Sequence, residues 1–329
     1  MNQKLEASPR QPLPADDDQH VGAPHFELNR DSVDSSVSQR QYIGNQLLDR
    51  ELAQPYAREN DTDNILVTVL MPCLNEARTL AACIQQAHAG CQTALSHRNI
   101  NRHALASGCT SRQCDDEQSA TGPTPEFNYE ILIADNGSTD GSPEIAVENG
   151  ASVVHVEQKG YGSALRGGIA AARGRYIVMG DSDCSYDFGE VRRFLTKLEE
   201  GYDLVMGNRF AGCIFPGAMP WHHRYVGNPV LSGVGRFLYR TPCRDWHCGL
   251  RAFEREKINS LNMHCTGMEF ASELVICASR GGLRVTEIAT TLKPDGRDRP
   301  PHLRSICDGW RHLSLLLRFA FQNRKVQCG

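Results

Sequence analysis

Tyr176-Ile-Val-Met-Gly-Asp-Ser-Asp183 is the stretch whose reading decides the fold. Its first five residues are apolar or small and partly β-branched, the composition of a strand buried on both faces. Two aspartates, one residue apart, stand where that strand should end. In open α/β sheets, ligands sit in the crevice outside the carboxyl ends of the strands. Asp181 and Asp183 are hard oxygen ligands for that crevice. They suit Mg²⁺ or Mn²⁺, and Mg²⁺ typically takes one or two carboxylates plus substrate phosphates. Taken alone, the pair reads at least as well as a helix cap or a turn. Its neighbours along the chain change that balance.

Upstream, Ile65-Leu-Val-Thr-Val-Leu-Met71 is a second continuous β-branched run, closed by Pro72-Cys-Leu-Asn-Glu76. Leu80, Cys83, Ile84 and Ala87 follow at helical spacing. Tyr129 to Ala134 predicts another strand, ending in Asp135-Asn-Gly-Ser-Thr-Asp-Gly141. Ser142-Pro-Glu-Ile then reads as a helix start, with Ser142 as N-cap and proline at the first helical position. Val153 to Val156 is a short strand. Lys159-Gly-Tyr-Gly-Ser-Ala-Leu-Arg-Gly-Gly168 opens a further helix, and Lys159 with its glycine-rich turn suits the phosphates of a nucleotide. Downstream of the aspartates come an amphipathic helix (Val191, Phe194, Leu195 and Leu198 on one face), a strand at Asp203–Met206 and a last strand at Leu283–Ile288. Strands alternating with helices imply an α/β fold with a mostly parallel central sheet and right-handed crossovers. Residues 92–128 break the pattern and read as a surface insertion. Residues 1–62 are polar and aperiodic, and read as a disordered tail.

Composition narrows the function classes. The chain has 329 residues, a formal net charge of −4 and an apolar fraction of 40%, ordinary values for a globular protein. There is no long basic run and no aromatic-basic interleaving, so nothing calls for nucleic acid. The 13 cysteines are odd in number and scattered, and Met1-Asn-Gln-Lys-Leu-Glu lacks an apolar leader region. The expectation is reduced thiols in the cytoplasm.

Pro72-Cys-Leu-Asn-Glu76, Asp135-Asn-Gly-Ser-Thr-Asp-Gly141, Lys159-Gly-Tyr-Gly, Asp181-Ser-Asp183 and Gly207-Asn-Arg209 occur in that order. The ordered set resembles family 2 glycosyltransferases of the GT-A fold, a Rossmann-like nucleotide-diphospho-sugar transferase fold. It is most similar to the dolichol-phosphate mannose and glucose synthase branch, over roughly residues 65 to 305. The resemblance implies that Pro72, Leu74, Glu76 and Asp135 hold the nucleoside. It also implies that Asp181 and Asp183 bind Mg²⁺ or Mn²⁺ and the donor diphosphate, Asp183 acting catalytically through the metal. Asn136 replaces the usual second acid of its loop. Ser185 stands where mannosyl-phosphodolichol-forming relatives often carry glutamine, which leaves UDP-glucose and GDP-mannose both open as donors.

For the acceptor, the resemblance implies three arginines around a polyprenyl phosphate, matched here by Arg209, Arg224 and Arg297; guanidinium groups bind phosphate bidentately. Asp245 falls in a segment where many family members carry the base that deprotonates a sugar hydroxyl. A phosphate monoester is already anionic and needs no strong base, so Asp245 is the candidate base only for a hydroxyl acceptor. A degenerate sugar-nucleotide-binding module is a third reading. Pro294 to Pro301 looks like the family's flexible lid. Residues 306–329 read as an amphipathic helix and tail, either lying in a membrane interface or packed on the domain. Many relatives continue into transmembrane helices; this chain stops at Gly329, so the expected contact is peripheral, on the cytoplasmic face.

Overall fold

A computed structural model describes residues 65–106, 128–297 and 305–321. The tail at 1–62, the second half of the 92–128 insertion and the later part of the 294–301 segment lie outside the described residues. In chain order the elements are β1 (Ile65–Cys73), α1 (Ala77–Ala106), β2 (Asn128–Asp135), α2 (Ser142–Glu148), β3 (Ser152–His155), α3 (Tyr161–Ala171), β4 (Tyr176–Met179), α4 (Val191–Glu199), β5 (Leu204–Ile214), α5 (Asn228–Tyr239), β6 (Arg251–Glu254), α6 (Arg255–Asn259), α7 (Phe270–Arg280), β7 (Val285–Leu292) and α8 (Ser305–Phe321).

The strands form one seven-stranded sheet of order β3-β2-β1-β4-β6-β5-β7. β1 and β4 lie side by side near its centre, parallel, with Leu70 opposite Met179. Both are buried on two faces, as their β-branched composition dictates. Val69, Met71, Tyr176 and Val178 face one core, filled by Leu80 and Ile84 of α1 with Phe194 and Leu195 of α4. Leu70, Ile177 and Met179 face the other, filled by Leu165 and Ile169 of α3 with Phe270 and Leu274 of α7. The period of two along each strand thus feeds two helical layers.

Four features differ from the sequence reading. β6 was not expected as a strand, and it runs antiparallel to both β4 and β5 within the mostly parallel sheet. Its four residues include Arg251, which hides the strand from any apolar pattern. α1 does not stop near Cys91 but continues to Ala106. Cys91 and Ala94 stay buried while Gln92 and Thr93 are exposed, so the core-facing stripe persists while the rest turns polar. β5 and β7 both extend beyond their apolar stretches, and their pairing resumes at Cys213–Thr291 after an irregularity. Ser142 is not the N-cap of α2: Gly141 holds that place with φ 85°, a left-handed backbone that favours glycine. The Ser142 hydroxyl instead serves the neighbouring loop.

Candidate active site

Because β1, β2, β3 and β4 are parallel, their carboxyl ends open on one edge of the sheet. Cys73 pairs with Asp135, and Asp135 with His155. The loops that follow, 72–76, 135–141, 156–160 and 180–185, therefore meet there. The first two are strapped together. Asn75 takes a left-handed backbone, φ 57°, one of the few non-glycine residues that does so at small cost. Its Oδ1 accepts from the Thr139 N–H at 2.7 Å, and its own N–H donates to Ser138 Oγ at 2.9 Å. The Glu76 N–H donates to Ser142 Oγ at 2.9 Å and the Ala77 N–H to Asp140 Oδ2 at 3.0 Å. Asp140 and Ser142, on the second loop, thus satisfy the orphan donors that begin α1. Pro72 contributes its carbonyl, which accepts from Ser182 Oγ at 2.9 Å. Leu74 sits between these contacts, half-buried.

Asp135 is buried and accepts from the N–H groups of Gly137 and Ser138, both at 3.1 Å, and from His155 Nδ1 at 3.2 Å. Burial pushes its carboxyl up, but the hydrogen bonds from Ser138, His155 and Gly137 outweigh it and hold the group below its ordinary value. It is ionised and fixed in place. Asn136, the departure from an acid, uses both ends of its amide. Nδ2 donates to the carbonyls of Val156 and Gln158 at 2.9 and 2.8 Å, and Oδ1 accepts from the Gly160 N–H at 2.7 Å. A carboxylate could make only the last of these bonds. Lys159 Nζ donates to the Asn136 carbonyl at 2.7 Å and lies over Gly137, where any Cβ would stand 2.0 Å from it. The turn into α3 is closed by protein, since the Ser163 N–H donates to the Thr266 carbonyl at 3.1 Å.

The two aspartates occupy the centre of the edge. Asp181 is half-buried, and its Oδ1 accepts from the Tyr161 hydroxyl at 3.0 Å. Burial first, then the Asp183 charge, raises its carboxyl to about 6. Gly249 lies against Oδ2, where a Cβ would come within 2.4 Å. Asp183 is buried, and its Oδ1 accepts from the Ser185 hydroxyl and N–H at 2.5 and 3.0 Å. Ser185 therefore orients the second aspartate. Asp183 Oδ2 pairs with Arg297 Nη2 at 2.9 Å, and the same guanidinium reaches Glu76 Oε1 through Nε at 2.9 Å. A cation of the protein itself thus stands against the acidic corner.

Arg209 and Asp245 are joined to each other. Nε and Nη2 of Arg209 donate to Oδ2 and Oδ1 of Asp245 at 2.7 and 2.8 Å, and the Arg209 N–H adds a third bond at 3.0 Å. Asp245 is fully buried and Arg209 is 8% exposed. In this arrangement the carboxylate faces the guanidinium, not an acceptor hydroxyl. Arg224 lies in the short π-helical turn His223–Gly227, half-buried beside the Tyr225 ring.

Sequence reasoning did not find how several neighbours are paired. Arg251 is buried with its guanidinium spread over the carbonyls of Cys248, Ala271 and Trp246 at 2.7, 2.9 and 2.9 Å. It fixes the loop that carries Asp245 and Gly249. Ser272 bridges His247 and His312 at 3.3 and 2.8 Å, tying α8 to the same loop. Tyr161 was within reach, because it belongs to the Lys159-Gly-Tyr-Gly motif. Glu273 accepts from the N–H groups of His264 and Cys265 at 2.9 and 2.8 Å and so serves the loop before α7.

The donor set fits a hard divalent ion in one specific way. Among the described residues no group of three or more His, Cys, Asp or Glu side chains could hold a metal. The protein offers two carboxylates, Asp181 and Asp183, at a corner where a cationic group already sits. Mg²⁺ bound by one or two carboxylates completes its shell with water and substrate phosphates.

The sequence profile of Glycosyl transferase family 2 matches residues 116–261. The low-salt glycan biosynthesis hexosyltransferase of Haloferax volcanii is 36% identical over 252 residues, 76% of this chain and 53% of that protein, so the chain spans about half the length of that relative. The dolichyl-phosphate hexose transferase of the same organism is 33% identical over 162 residues, 48% of this chain and 68% of that protein. Among solved structures, glucosyl-3-phosphoglycerate synthase of Mycobacterium tuberculosis, in complex with Mn²⁺, UDP and its product, superposes with a TM-score of 0.53 at 22% identity. The match covers 78% of this chain and 80% of that one. The fold is thus GT-A, and the chain belongs to glycosyltransferase family 2.

Proposed function

We propose that this domain is an inverting glycosyltransferase that moves a hexose from a nucleotide-diphosphate sugar, UDP-glucose or GDP-mannose, to a polyprenyl phosphate. The observation that carries the reading is the convergence of Glu76, Asp135, Asp181 and Asp183 on one sheet edge. Glu76 and the ionised Asp135 are set to take the ribose and base, in loops held rigid by Asn75, Ser138 and Asn136. Asp181 and Asp183 would hold Mg²⁺ or Mn²⁺, which when bound supplies charge stabilisation to the departing diphosphate. Tyr161 and Ser185 hold the two carboxylates in position.

On the acceptor side, a phosphate oxygen attacks the anomeric carbon in line, the bond to the nucleoside diphosphate breaks, and no proton has to be removed. Arg209, Arg224 and Arg297 are the guanidinium groups proposed for the acceptor phosphate. Asp245 acts through Arg209, which it aims and keeps charged, and this favours the phosphate acceptor over a hydroxyl acceptor that would need Asp245 as base. The similarity to a dolichyl-phosphate hexose transferase supports the same choice. So does the outer surface of α5 and α8, which pack on each other. Phe237, Trp310 and Phe321 are 84%, 68% and 80% exposed there, with exposed Arg311 and Arg318 among them. Exposed aromatic rings beside cations suit the interfacial layer of a bilayer. Among the described residues no helix is long and apolar enough to cross a membrane. The proposed contact is peripheral, at the cytoplasmic surface, and is carried by those rings and cations.

The test is transfer of label from UDP-glucose and from GDP-mannose into membranes with Mn²⁺ or Mg²⁺. The expected result is a mild-acid-labile labelled lipid from one donor only. Donor binding without labelled lipid would overturn the acceptor assignment.

A further inference from the structure

Cys83 and Cys184 touch: their sulfurs lie 3.5 Å apart, although the residues are separated by 101 positions in the chain. The Cys184 N–H also donates to Cys83 Sγ at 3.3 Å, so main chain and side chain of Cys184 both lie against that sulfur. The two thiols differ in setting. Cys83 is fully buried in the core-facing stripe of α1, among Leu80, Ile84 and Ala87. Cys184 is half-buried, in the turn between Asp183 and Ser185. Its backbone is left-handed, φ 64°, a conformation that residues with a Cβ, Asn and Asp apart, rarely take. Strain of this kind persists only where its surroundings fix it, and it clusters at functional positions. Neither sulfur has a part in the donor or acceptor chemistry proposed above.

We propose that Cys83 and Cys184 form an oxidation site, and that a disulfide between them switches the donor corner off. The switching consequence rests on the reading of Asp183 as part of the donor site. Hydrogen peroxide serves as oxidant. The half-buried Cys184 sulfur attacks the peroxide, the O–O bond breaks, and a sulfenic acid forms with release of one water. The Cys83 sulfur then attacks the Cys184 sulfur. The S–O bond breaks, and the hydroxyl leaves with the thiol proton as a second water. The two thiols together lose two electrons and two protons, and the peroxide becomes two waters. A disulfide holds its sulfurs about 2.0 Å apart, so the 3.5 Å gap must close by about 1.5 Å. Cys83 sits in a close-packed core that resists displacement, so the turn moves instead. Cys184 joins Asp183 to Ser185, whose hydroxyl and N–H hold Asp183 Oδ1 at 2.5 and 3.0 Å. Drawing Cys184 towards α1 pulls the carboxylate and its brace out of register. A thiol reductant reverses the change through a mixed disulfide. Binding couplings are reciprocal, so a donor and divalent ion bound at Asp183 oppose formation of the bond.

The experiment uses the full chain, reduced, then treated with hydrogen peroxide, then reduced again. In each state the free thiols are alkylated, the protein is digested, and linked peptides are mapped by mass spectrometry. Each state is also titrated calorimetrically with UDP and with GDP in Mn²⁺. Peroxide-treated wild type is expected to yield the Cys83–Cys184 linked peptides. It is expected to lose roughly tenfold to hundredfold in affinity for the Mn²⁺-nucleotide, the range for disturbing a group that orients a metal ligand. Renewed reduction restores the affinity, and Mn²⁺ with nucleotide present during oxidation slows the linkage. Cys83→Ala and Cys184→Ser keep their affinity through the peroxide step; either carries the test if the other does not fold. Oxidised wild type without the linkage overturns the inference, as does a linkage that leaves nucleotide affinity unchanged. An equal loss in both variants also overturns it, since the damage then lies at another thiol such as the exposed Cys213. Absence of nucleotide binding by reduced wild type overturns the donor reading itself and the switching consequence with it, while the linkage map still decides the oxidation site.

Discussion

Asp245→Asn separates the two roles open to the carboxylate that pairs with Arg209. The side chain is fully buried and makes three bonds of 2.7–3.0 Å to Arg209, itself 8% exposed. The amide cannot accept on both sides and leaves a guanidinium without its counter-charge. Breaking one partner of a buried ion pair costs about 3–5 kcal/mol. In a domain of this size each kcal/mol moves the melting temperature by roughly 2–4 °C, so a fall on the order of 10 °C is expected. The matching double variant, Arg209→Met with Asp245→Leu, removes both charges and should recover most of that loss, because an apolar replacement of a buried pair is often neutral. The assay is calorimetric melting of the four corners of the cycle, beside transfer rates. Asp245→Asn melting within about 1 kcal/mol of wild type, yet losing activity together with the acidic limb of the pH profile, would refute the positioning role and restore Asp245 as a general base.

Three further outcomes are expected. Asn136→Asp, though it restores an acid common in related loops, removes two donors to the Val156 and Gln158 carbonyls; it should lower stability by about 2–3 kcal/mol in urea denaturation and weaken nucleotide binding. Gly249→Ala pushes a methyl to 2.4 Å from Asp181 Oδ2 and 2.9 Å from the Tyr186 ring, and should abolish Mn²⁺-dependent nucleotide binding while the melting temperature falls only modestly. His312 is buried, and burial lowers its imidazole from 6.5 to about 4. The unfolded chain therefore takes up the proton first, and the stability this residue contributes is complete above about pH 6.5 and lost as the pH falls towards about 4, roughly 2 kcal/mol of it by about pH 5. Asp181, raised to about 6, acts in the opposite sense over part of that window. The difference in urea stability between wild type and His312→Asn, followed from neutral to acid pH, isolates the histidine and should shrink with acidification.

Much of the sheet was legible because β1, β2 and β4 are continuous β-branched runs buried on two faces. A short strand built around a buried arginine, β6, carries no such signal. The helical continuation past Cys91 was hidden because, among its described side chains, Cys91, Ala94 and the half-buried Leu95 face the core while Gln92 and Thr93 are exposed. At the site, the strand-end position of Asp181 and Asp183 followed from the pattern alone, and the family resemblance supplied the surrounding roles. What the chain did not disclose was pairing. Glu76 with Ser142, Ala77 with Asp140 and Arg209 with Asp245 are separated by 66, 63 and 36 residues. Residue type says that an acid will find a base or a donor, but only the fold says which. The same limit applies to Ser185, which in sequence only replaces a glutamine and in the fold braces Asp183, and to Arg297, whose partners in the fold are two carboxylates.

The most direct test of the account is Mn²⁺ binding itself, followed by electron paramagnetic resonance of the free ion while UDP or GDP is titrated into wild type and Asp183→Asn. The account predicts that wild type takes up Mn²⁺ cooperatively with one of the two nucleotides, because two carboxylates alone are an incomplete shell, and that Asp183→Asn does not, while keeping its fold by circular dichroism. Equal uptake by the folded variant would contradict the assignment of Asp181 and Asp183 as the centre of the site.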